Sequence, residues 1–519
     1  MPSTTTPAPR RPRSPAPSPR VALVERLNAG REGGARLTYE GARAFGPVHL
    51  VERFRLGNGL RVLVLVDASA PVVSYHTWFA VGSRHERPGK TGLAHFFEHL
   101  MFNETANLPA GDFDRRLEEA GAESNAATWV DWTYYYENVP RDRLPLVITM
   151  EADRMANLVL RQPQVDSERE VVANERRQRV DDDVDGSVNE LLYKTVFGRH
   201  GYGWPTIGWM QDIEAYTPDD CAAFYRTYYA PNNATLVLVG DVKLDVVLRR
   251  VQDAYGPLPA ASLPVEDVQP EPPQTAERRI EVTKPTATER VAVGYRGPAL
   301  GDTDHAALTV LNEALFGGRS SRAHRALVHD AELATDVRGW VGTFRDPGLY
   351  EMTAAGRPGV KAEALLEALD RVVDGALREP LAEDEMQRVL ARLELGALQG
   401  LETSGGKAEQ IGFWTTVTGD PAGSFGRIEA IGRVTRSDAL RAARRFLAPE
   451  SRTAVLVRAG TSSSTPSVTT VGEAPAGGEA SASSGAAARG EPPAGGEASA
   501  GGDASAGGEA STPSNGGAS

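Results

Sequence analysis

An internal repeat constrains the fold of this chain more than any other feature of its sequence. Residues 230–239 (APNNATLVLV) align with residues 448–457 (APESRTAVLV), and both segments end in the apolar run of a buried strand. Residues 93–101 align with residues 308–316 at nearly the same offset, as expected of a duplicated unit with small insertions. We therefore predict an α+β fold of two homologous halves, each a mixed or antiparallel sheet covered by helices, in a clamshell around a chamber.

Composition divides the chain into five segments. The prolines among serine, threonine and arginine in residues 1–20 predict a disordered arm, which together with its lead-in covers residues 1–44. Residues 45–255 form the first predicted half, a proline-rich acidic linker covers residues 256–277, and residues 278–460 form the second half. Glycine, alanine, serine and glutamate dominate residues 461–519, which predicts a disordered tail.

Charge and cysteine content exclude several classes of function. The 519 residues include 69 acidic and 56 basic side chains, a net charge of −13, so we expect no nucleic-acid partner. No apolar run approaches the roughly 20 residues that span a bilayer, and no secretory signal is visible, so we expect no membrane association and a cytoplasmic location. The single cysteine, Cys221, cannot build a thiolate cage, so a metal site must use histidine and carboxylate.

The segment His95-Phe96-Phe97-Glu98-His99 carries the strongest chemical signal in the sequence. On a helix, His95 and His99 lie four residues apart on one face, and both imidazoles can reach one tetrahedral Zn²⁺. Glu98 lies beside them, close enough to take a proton from a zinc-bound water. This is the inverted H-x-x-E-H arrangement. The alternative is a buried helix with two core histidines, each of which needs its own hydrogen-bond partner.

A second helix offers the third protein ligand that a catalytic zinc requires. Residues 167–177 (SEREVVANERR) place Glu168 and Glu175 two helical turns apart, on a face shared with valines. A carboxylate beside buried valines is costly unless it is paired or binds a metal. Spacing alone does not choose between Glu168 and Glu175, and a solvated charged helix is the alternative.

Together these motifs resemble the pitrilysin and insulin-degrading family of zinc metallopeptidases, which includes the mitochondrial processing peptidase. The resemblance extends over about residues 50–458, and it rests on the H-x-x-E-H motif followed by an E-x6-E helix. The segments FNET, GAESNAAT and GGRSSR, at residues 102–105, 121–128 and 317–322, support it.

The resemblance implies a metalloendopeptidase with one Zn²⁺ per chain, acting on peptides or unfolded segments. His95, His99 and Glu175 would be the zinc ligands, Glu98 the general base, and Glu168 a supporting carboxylate of the catalytic machinery. Asn125, Ala126 and Ala127 would belong to an edge strand that binds the substrate backbone by β-augmentation. The alternative for these three residues is a structural turn into the next strand.

The second half departs from the zinc-binding pattern. Val310, Glu313 and Ala314 align with His95, Glu98 and His99, so this half cannot bind zinc. Active relatives also carry an arginine and a tyrosine seven residues apart, where this chain has Val328 and Thr335. The resemblance therefore implies a partner, a homologous zinc-less subunit that supplies this pair, or else a homodimer.

Two other functions stay open at this point. Relatives in respiratory complexes keep the fold as structural or assembly subunits without catalysis, although such subunits typically lose the motif that is intact here. The motif alone also allows a zinc hydrolase of non-peptide amides.

Overall fold

The computed structural model describes residues 18–471 of the chain. Strands of the first half are β1 (Leu37–Phe45), β2 (His49–Leu56), β3 (Arg61–Val66), β4 (Val72–Phe79), β5 (Glu123–Thr128), β6 (Thr133–Pro140) and β7 (Ala234–Gly240). Its helices are α1 (Pro19–Leu27), α2 (Leu93–Leu100), α3 (Asp112–Glu119), α4 (Leu144–Asn157), α5 (Gln162–Arg176), α6 (Val184–Val196), α7 (Met210–Glu214), α8 (Pro218–Tyr228) and α9 (Leu244–Tyr255).

The second half follows the same plan. Its strands are β8 (Glu277–Pro285), β9 (Arg290–Arg296), β10 (Ala334–Val341), β11 (Leu349–Gly356), β12 (Arg452–Gly460) and β13 (Ser467–Val471). Its helices are α10 (Asp304–Phe316), α11 (Ala362–Arg378), α12 (Glu383–Gln399), α13 (Ser404–Thr418), α14 (Gly423–Gly432) and α15 (Arg436–Phe446). None of the helices in residues 18–471 is long and apolar enough to cross a membrane.

Five consecutive strands of each sheet share a topology, β3 to β7 in the first sheet and β8 to β12 in the second, which confirms the predicted duplication. The first sheet has the order β1-β2-β3-β7-β4-β6-β5 and the second the order β10-β11-β9-β12-β8-β13. The repeated segments found in the sequence form the central strands β7 and β12. β7 lies parallel to β3 and antiparallel to β4, while β12 lies parallel to β8 and antiparallel to β9. Both sheets are therefore mixed, and the predicted α+β class is confirmed; the enclosed chamber stays a prediction.

Each half contributes one helix to the sheet of the other half. Helix α6 of the first half packs on β9 and β12, and α13 of the second half packs on β4 and β7. The contact of α6 is a buried apolar cluster that includes Val188, Leu192, Ile280, Val282, Val455 and Val457. The contact of α13 includes Leu65, Trp78, Val237, Val239, Ala408 and Ile411. The apolar period predicts that a helix has a buried face, but it does not say which sheet covers that face.

The expected disorder at the two ends is wrong over part of each end. Helix α1 and strand β1 occupy much of the predicted lead-in, because Leu23, Val24 and Leu27 pack into the first core and outweigh the neighbouring prolines. Strand β13 lies inside the predicted tail, where it pairs antiparallel with β8. The remaining parts of both predictions, residues 1–17 and 472–519, lie outside the described residues. Residues 259–276 of the predicted linker contain no helix or strand.

Candidate metal centre

Helix α2 buries one face and leaves the other accessible. Its buried side chains, which pack in the first core, are Leu93, Ala94, Phe96, Phe97 and Leu100. The remaining face carries His95, Glu98 and His99, which are only partly buried. The side chains of His95 and His99 are 13% and 24% exposed, and their ring centroids lie 4.8 Å apart. The motif is thus on a helix, as its spacing predicts.

Helix α5 brings Glu175 to the two imidazoles. One ligand atom from each of His95, His99 and Glu175 lies within 4.8 Å of the other two. Oε2 of Glu175 is 3.5 Å from Nε2 of His95 and 3.3 Å from Nε2 of His99. Zinc bound tetrahedrally, with bonds of about 2.1 Å, separates its ligand atoms by about 3.4 Å. The three side chains therefore have the spacing of a zinc site.

The same oxygen of Glu175 supports this fit independently. Oε2 is buried and has no hydrogen-bond partner among residues 18–471. Buried carboxylate oxygens are costly unless a donor or a metal ion satisfies them. A cation held between Glu175 and the two imidazoles would satisfy it, and the oxygen and nitrogen donors are those that Zn²⁺ takes in proteins.

Glu168 contacts the opposite side of one imidazole. Nδ1 of His99 donates a hydrogen bond of 3.0 Å to Oε1 of Glu168. This bond fixes the orientation of the ring and turns Nε2 toward Glu175, as carboxylates behind zinc-binding histidines do. The choice between Glu168 and Glu175, which spacing left open, is thus made by geometry: Glu175 faces both Nε2 atoms, whereas Glu168 holds the ring of His99 from behind.

The pKa values of the cluster reflect strong coupling between acid and base. Burial alone lowers the pKa of His99, but Glu168 and Glu175 outweigh it and raise that pKa to about 10. Burial raises the pKa of Glu175, but His99, His95 and the Arg179 guanidinium outweigh it and lower that pKa to about 2. For His95, burial prevails and lowers the pKa, which favours the neutral ring that binds metals.

Arg179 is a member of this cluster that the sequence analysis missed. It lies in a π-helical segment, Arg177–Asp181, that continues α5 beyond Arg176. Nη1 of Arg179 is 3.1 Å from Oε1 of Glu175, the oxygen that does not face the histidines. The signal that could have found it is the spacing of four residues from Glu175, which places both side chains on one helical face.

The predicted substrate-binding residues lie in the edge strand of the first sheet. Asn125, Ala126 and Ala127 belong to β5, which pairs with β6 on one side and is the last strand in the sheet order. β5 also lies beside α2, the helix that carries the histidines. The backbone N–H of Ala126 donates a hydrogen bond of 2.8 Å to Oδ1 of its neighbour Asn125. The carbonyl oxygen of a bound peptide could replace Oδ1 as the acceptor. These residues form a strand, whereas the alternative was a turn.

In the second half, core side chains fill the two positions that correspond to the histidines. Val310 and Ala314 on α10 are 0% and 2% exposed. Oε1 of Glu313 accepts a hydrogen bond of 2.6 Å from Nε of Arg392. Val328 lies in the π-helical segment His324–Asp330, and Thr335 lies in β10. None of these side chains belongs to the candidate cluster of His95, His99 and Glu175.

Comparisons with known proteins find similarity to zinc proteases and to peptidase family M16. The insulinase model (peptidase family M16) matches residues 61–208, and the peptidase M16 inactive-domain model matches residues 215–393. The zinc protease PqqE of Helicobacter pylori is 32% identical over 70% of this chain and 82% of its own length. An uncharacterized zinc protease of Streptomyces coelicolor, SCO5738, is 31% identical over 76% of this chain and 87% of its own length.

A solved structure extends the likeness to three dimensions. The crystal structure of a protease from Helicobacter pylori superposes with a TM-score of 0.76 and 30% identity, covering 79% of this chain and 99% of that one. The family resemblance expected from the H-x-x-E-H motif is thereby confirmed. The chain belongs to the insulinase family of peptidases, family M16.

Proposed function

We propose that this chain is a zinc-dependent endopeptidase that hydrolyses peptides or unfolded segments of proteins, with one Zn²⁺ per chain. The observation that carries the proposal is the convergence of His95, His99 and Glu175 beside Glu98 on the accessible face of α2. The zinc proteases among its relatives support the same reaction. The cytoplasmic location and the absence of nucleic-acid and membrane partners stay predictions.

The roles of the residues follow from their positions. His95, His99 and Glu175 would hold the ion, with Glu168 fixing the ring of His99. When bound, Zn²⁺ lowers the pKa of a coordinated water and polarises the carbonyl of the scissile peptide bond. Glu98 takes the proton from the attacking water and delivers it to the leaving amine.

Strand β5 would hold the substrate. An extended peptide can add to its free edge, so that main-chain hydrogen bonds bind peptides of many sequences. Asn125, Ala126 and Ala127 lie in this strand beside α2, which would bring the peptide backbone alongside the zinc ligands. A folded protein seldom offers a free extended segment, and this favours short or unfolded substrates.

The Glu98→Gln variant tests the proposed chemistry. We expect it to keep one zinc ion per chain and to lose peptide cleavage by about 10²–10⁴-fold, because glutamine cannot accept the proton. Metal analysis and an assay with a mixture of quenched fluorescent peptides measure the two effects. Glu170→Gln, an exposed position on α5, is the matched control and should stay active.

Two outcomes would contradict the proposal. A wild-type chain that binds zinc and cleaves no peptide, with or without a partner, would favour a structural or assembly subunit or a hydrolase of other amides. A Glu98→Gln chain as active as wild type would remove the general base from the mechanism.

We further propose that full activity requires a second subunit. Val328 and Thr335 stand where an arginine and a tyrosine would help hold the substrate and stabilise the oxyanion, and neither side chain can do so. Adding a homologous zinc-less chain that carries this pair should raise the rate at least tenfold. The same chain added to Glu98→Gln should give no activity. Full turnover by the purified chain at every concentration would refute this requirement.

A further inference from the structure

The start of helix α2 is held by a carboxylate from outside the helix. Glu86 accepts two backbone hydrogen bonds there, at 2.6 Å from the N–H of Gly92 and at 2.7 Å from the N–H of Ala94. These N–H groups have no partner within the helix, and the residue at the N-cap, Gly92, has no side chain to satisfy them. Glu86 therefore performs the capping that a serine or aspartate at the N-cap performs in other helices.

Gly92 is required because another segment packs directly against it. Its φ is +90°, and a Cβ there would lie 2.4 Å from the carbonyl oxygen of Ile207 and 2.7 Å from Cα of Gly208. Residues 207–212, which we name the bridging segment, also hold Thr91. Oδ2 of Asp212 accepts from the backbone N–H and from the hydroxyl of Thr91, at 3.0 and 2.6 Å. The start of α2 is thus fixed from two sides.

The bridging segment also reaches the other zinc-ligand helix. The carbonyl oxygen of Gly208 accepts a hydrogen bond of 2.7 Å from Nη1 of Arg176. Arg176 directly follows Glu175 and is nearly buried, with a second bond of 2.8 Å to Glu190. One short segment therefore contacts Thr91 and Gly92 at the start of α2 and Arg176 at the end of α5, next to Glu175.

We propose that Glu86 is a positioning residue for His95, and that the bridging segment holds His95 and Glu175 at the separation that one zinc ion requires. The inference rests on the proposed zinc site and goes beyond it, since neither Glu86 nor the bridging segment touches the ligand atoms. Ala94, which Glu86 holds, immediately precedes His95 in the first turn of α2. Without its cap this turn frays, and the imidazole loses its fixed direction.

Metal affinity of the full-length chain tests the proposal. Zinc affinity is measured by competition with a chelating dye, and the geometry by the visible absorption of the Co²⁺-substituted protein. We expect Glu86→Ala to weaken zinc binding by about 10–100-fold and to alter the Co²⁺ spectrum, as loss of a supporting contact does elsewhere. Glu86→Gln keeps one acceptor and should recover part of the affinity.

Thr217→Ala is the matched control. Thr217 caps α8 in the same half, by accepting from the N–H of Asp220 at 3.2 Å, and it belongs to neither zinc-ligand helix. If Glu86 only stabilises the helix and does not position His95, Glu86→Ala and Thr217→Ala should both leave zinc affinity and the Co²⁺ spectrum unchanged. That outcome overturns the proposal. If Glu86→Ala does not fold, Glu86→Gln should show a smaller loss of zinc affinity and Arg176→Lys should show a loss as well; zinc affinity equal to wild type in both variants overturns the proposal.

Failure of the positioning proposal can be distinguished from failure of the peptidase proposal. Wild-type chain that binds zinc without cleaving peptides contradicts the peptidase proposal, while a weakened Glu86→Ala chain still supports the positioning role. If the wild-type chain cleaves peptides and Glu86→Ala binds zinc as tightly as wild type, only the positioning role is contradicted. A wild-type chain that binds no zinc overturns both.

Discussion

Helices α2 and α10 occupy corresponding places in the two halves, and they differ in what their matched positions do. On α2, His95 and His99 are partly exposed and face Glu175. On α10, Val310 and Ala314 are buried among core side chains, and Glu313 pairs with Arg392. The duplicated scaffold therefore accepts either a polar, accessible helix face or a packed apolar one at this place.

Two partly buried carboxylates, Glu175 in the first half and Glu351 in the second, differ in their surroundings. Glu175 has cationic neighbours, His99, His95 and Arg179, that outweigh its burial and lower its pKa to about 2. Among residues 18–471, Glu351 on β11 accepts hydrogen bonds from Tyr193 and from Asn189, the latter at 3.0 Å, and burial raises its pKa to about 7. One environment is suited to a metal ligand and the other to a neutral acid.

The largest expected effect comes from giving α2 the residues of α10. His95→Val combined with His99→Ala should reduce zinc content from one ion per chain to none and abolish cleavage, because a single carboxylate cannot hold Zn²⁺. Metal analysis after dialysis and circular dichroism measure zinc content and folding. The control is the reverse graft, Val310→His with Ala314→His, which should bind no second zinc and should destabilise the chain by about 1–3 kcal/mol per buried polar group. A second zinc ion in this graft would contradict the comparison.

The next effect concerns the pH dependence of stability. Between pH 4.5 and 7, Glu351 is ionised in the unfolded chain and protonated in the folded chain, so the free energy of unfolding falls as pH rises. This fall in the free energy of unfolding amounts to roughly 3 kcal/mol and is complete above pH 7. Glu351→Gln should lose roughly 3 kcal/mol less than wild type between pH 5 and pH 8, as measured by urea unfolding at both pH values. Equal slopes in both proteins would show that Glu351 stays ionised in the fold.

The smallest effect is expected at Glu168. Glu168→Ala removes the acceptor of Nδ1 of His99 and should weaken zinc binding by about 10–100-fold without abolishing it. Glu170→Ala, two residues along α5 and exposed, should bind zinc as wild type does. Isothermal titration of both variants with Zn²⁺ makes the comparison. Equal affinities would mean that the ring of His99 needs no support from Glu168.

The sequence predicts the features that repeat locally or at fixed spacing. The apolar runs of β7 and β12 revealed the duplication, and the spacing of His95, Glu98 and His99 predicted one helix face. The spacing of Glu168 and Glu175 predicted their common helix but not their roles. Those depend on which nitrogen of His99 each carboxylate meets, and that is set by the packing of α2 against α5.

The features that sequence could not predict depend on contacts between distant segments. Nothing in the local pattern of residues 184–196 says that they cover the second sheet rather than the first. The hydrogen bonds of Glu86 to Gly92 and Ala94 follow no helical period, because they cross a turn between separate elements. Strand β13 was obscured by the composition of the tail around it, although its pairing with β8 is regular.

The two halves depend on each other, because one helix of each half packs on the sheet of the other half. Without α13, the face formed by β4 and β7 would expose Trp78 and its neighbours to water, and without α6 the apolar face of the second sheet would be bare. The two homologous halves are therefore not independent domains joined by a linker. Cutting the chain within residues 259–276 should therefore yield two fragments that stay associated, each of them needed to cover the sheet of the other.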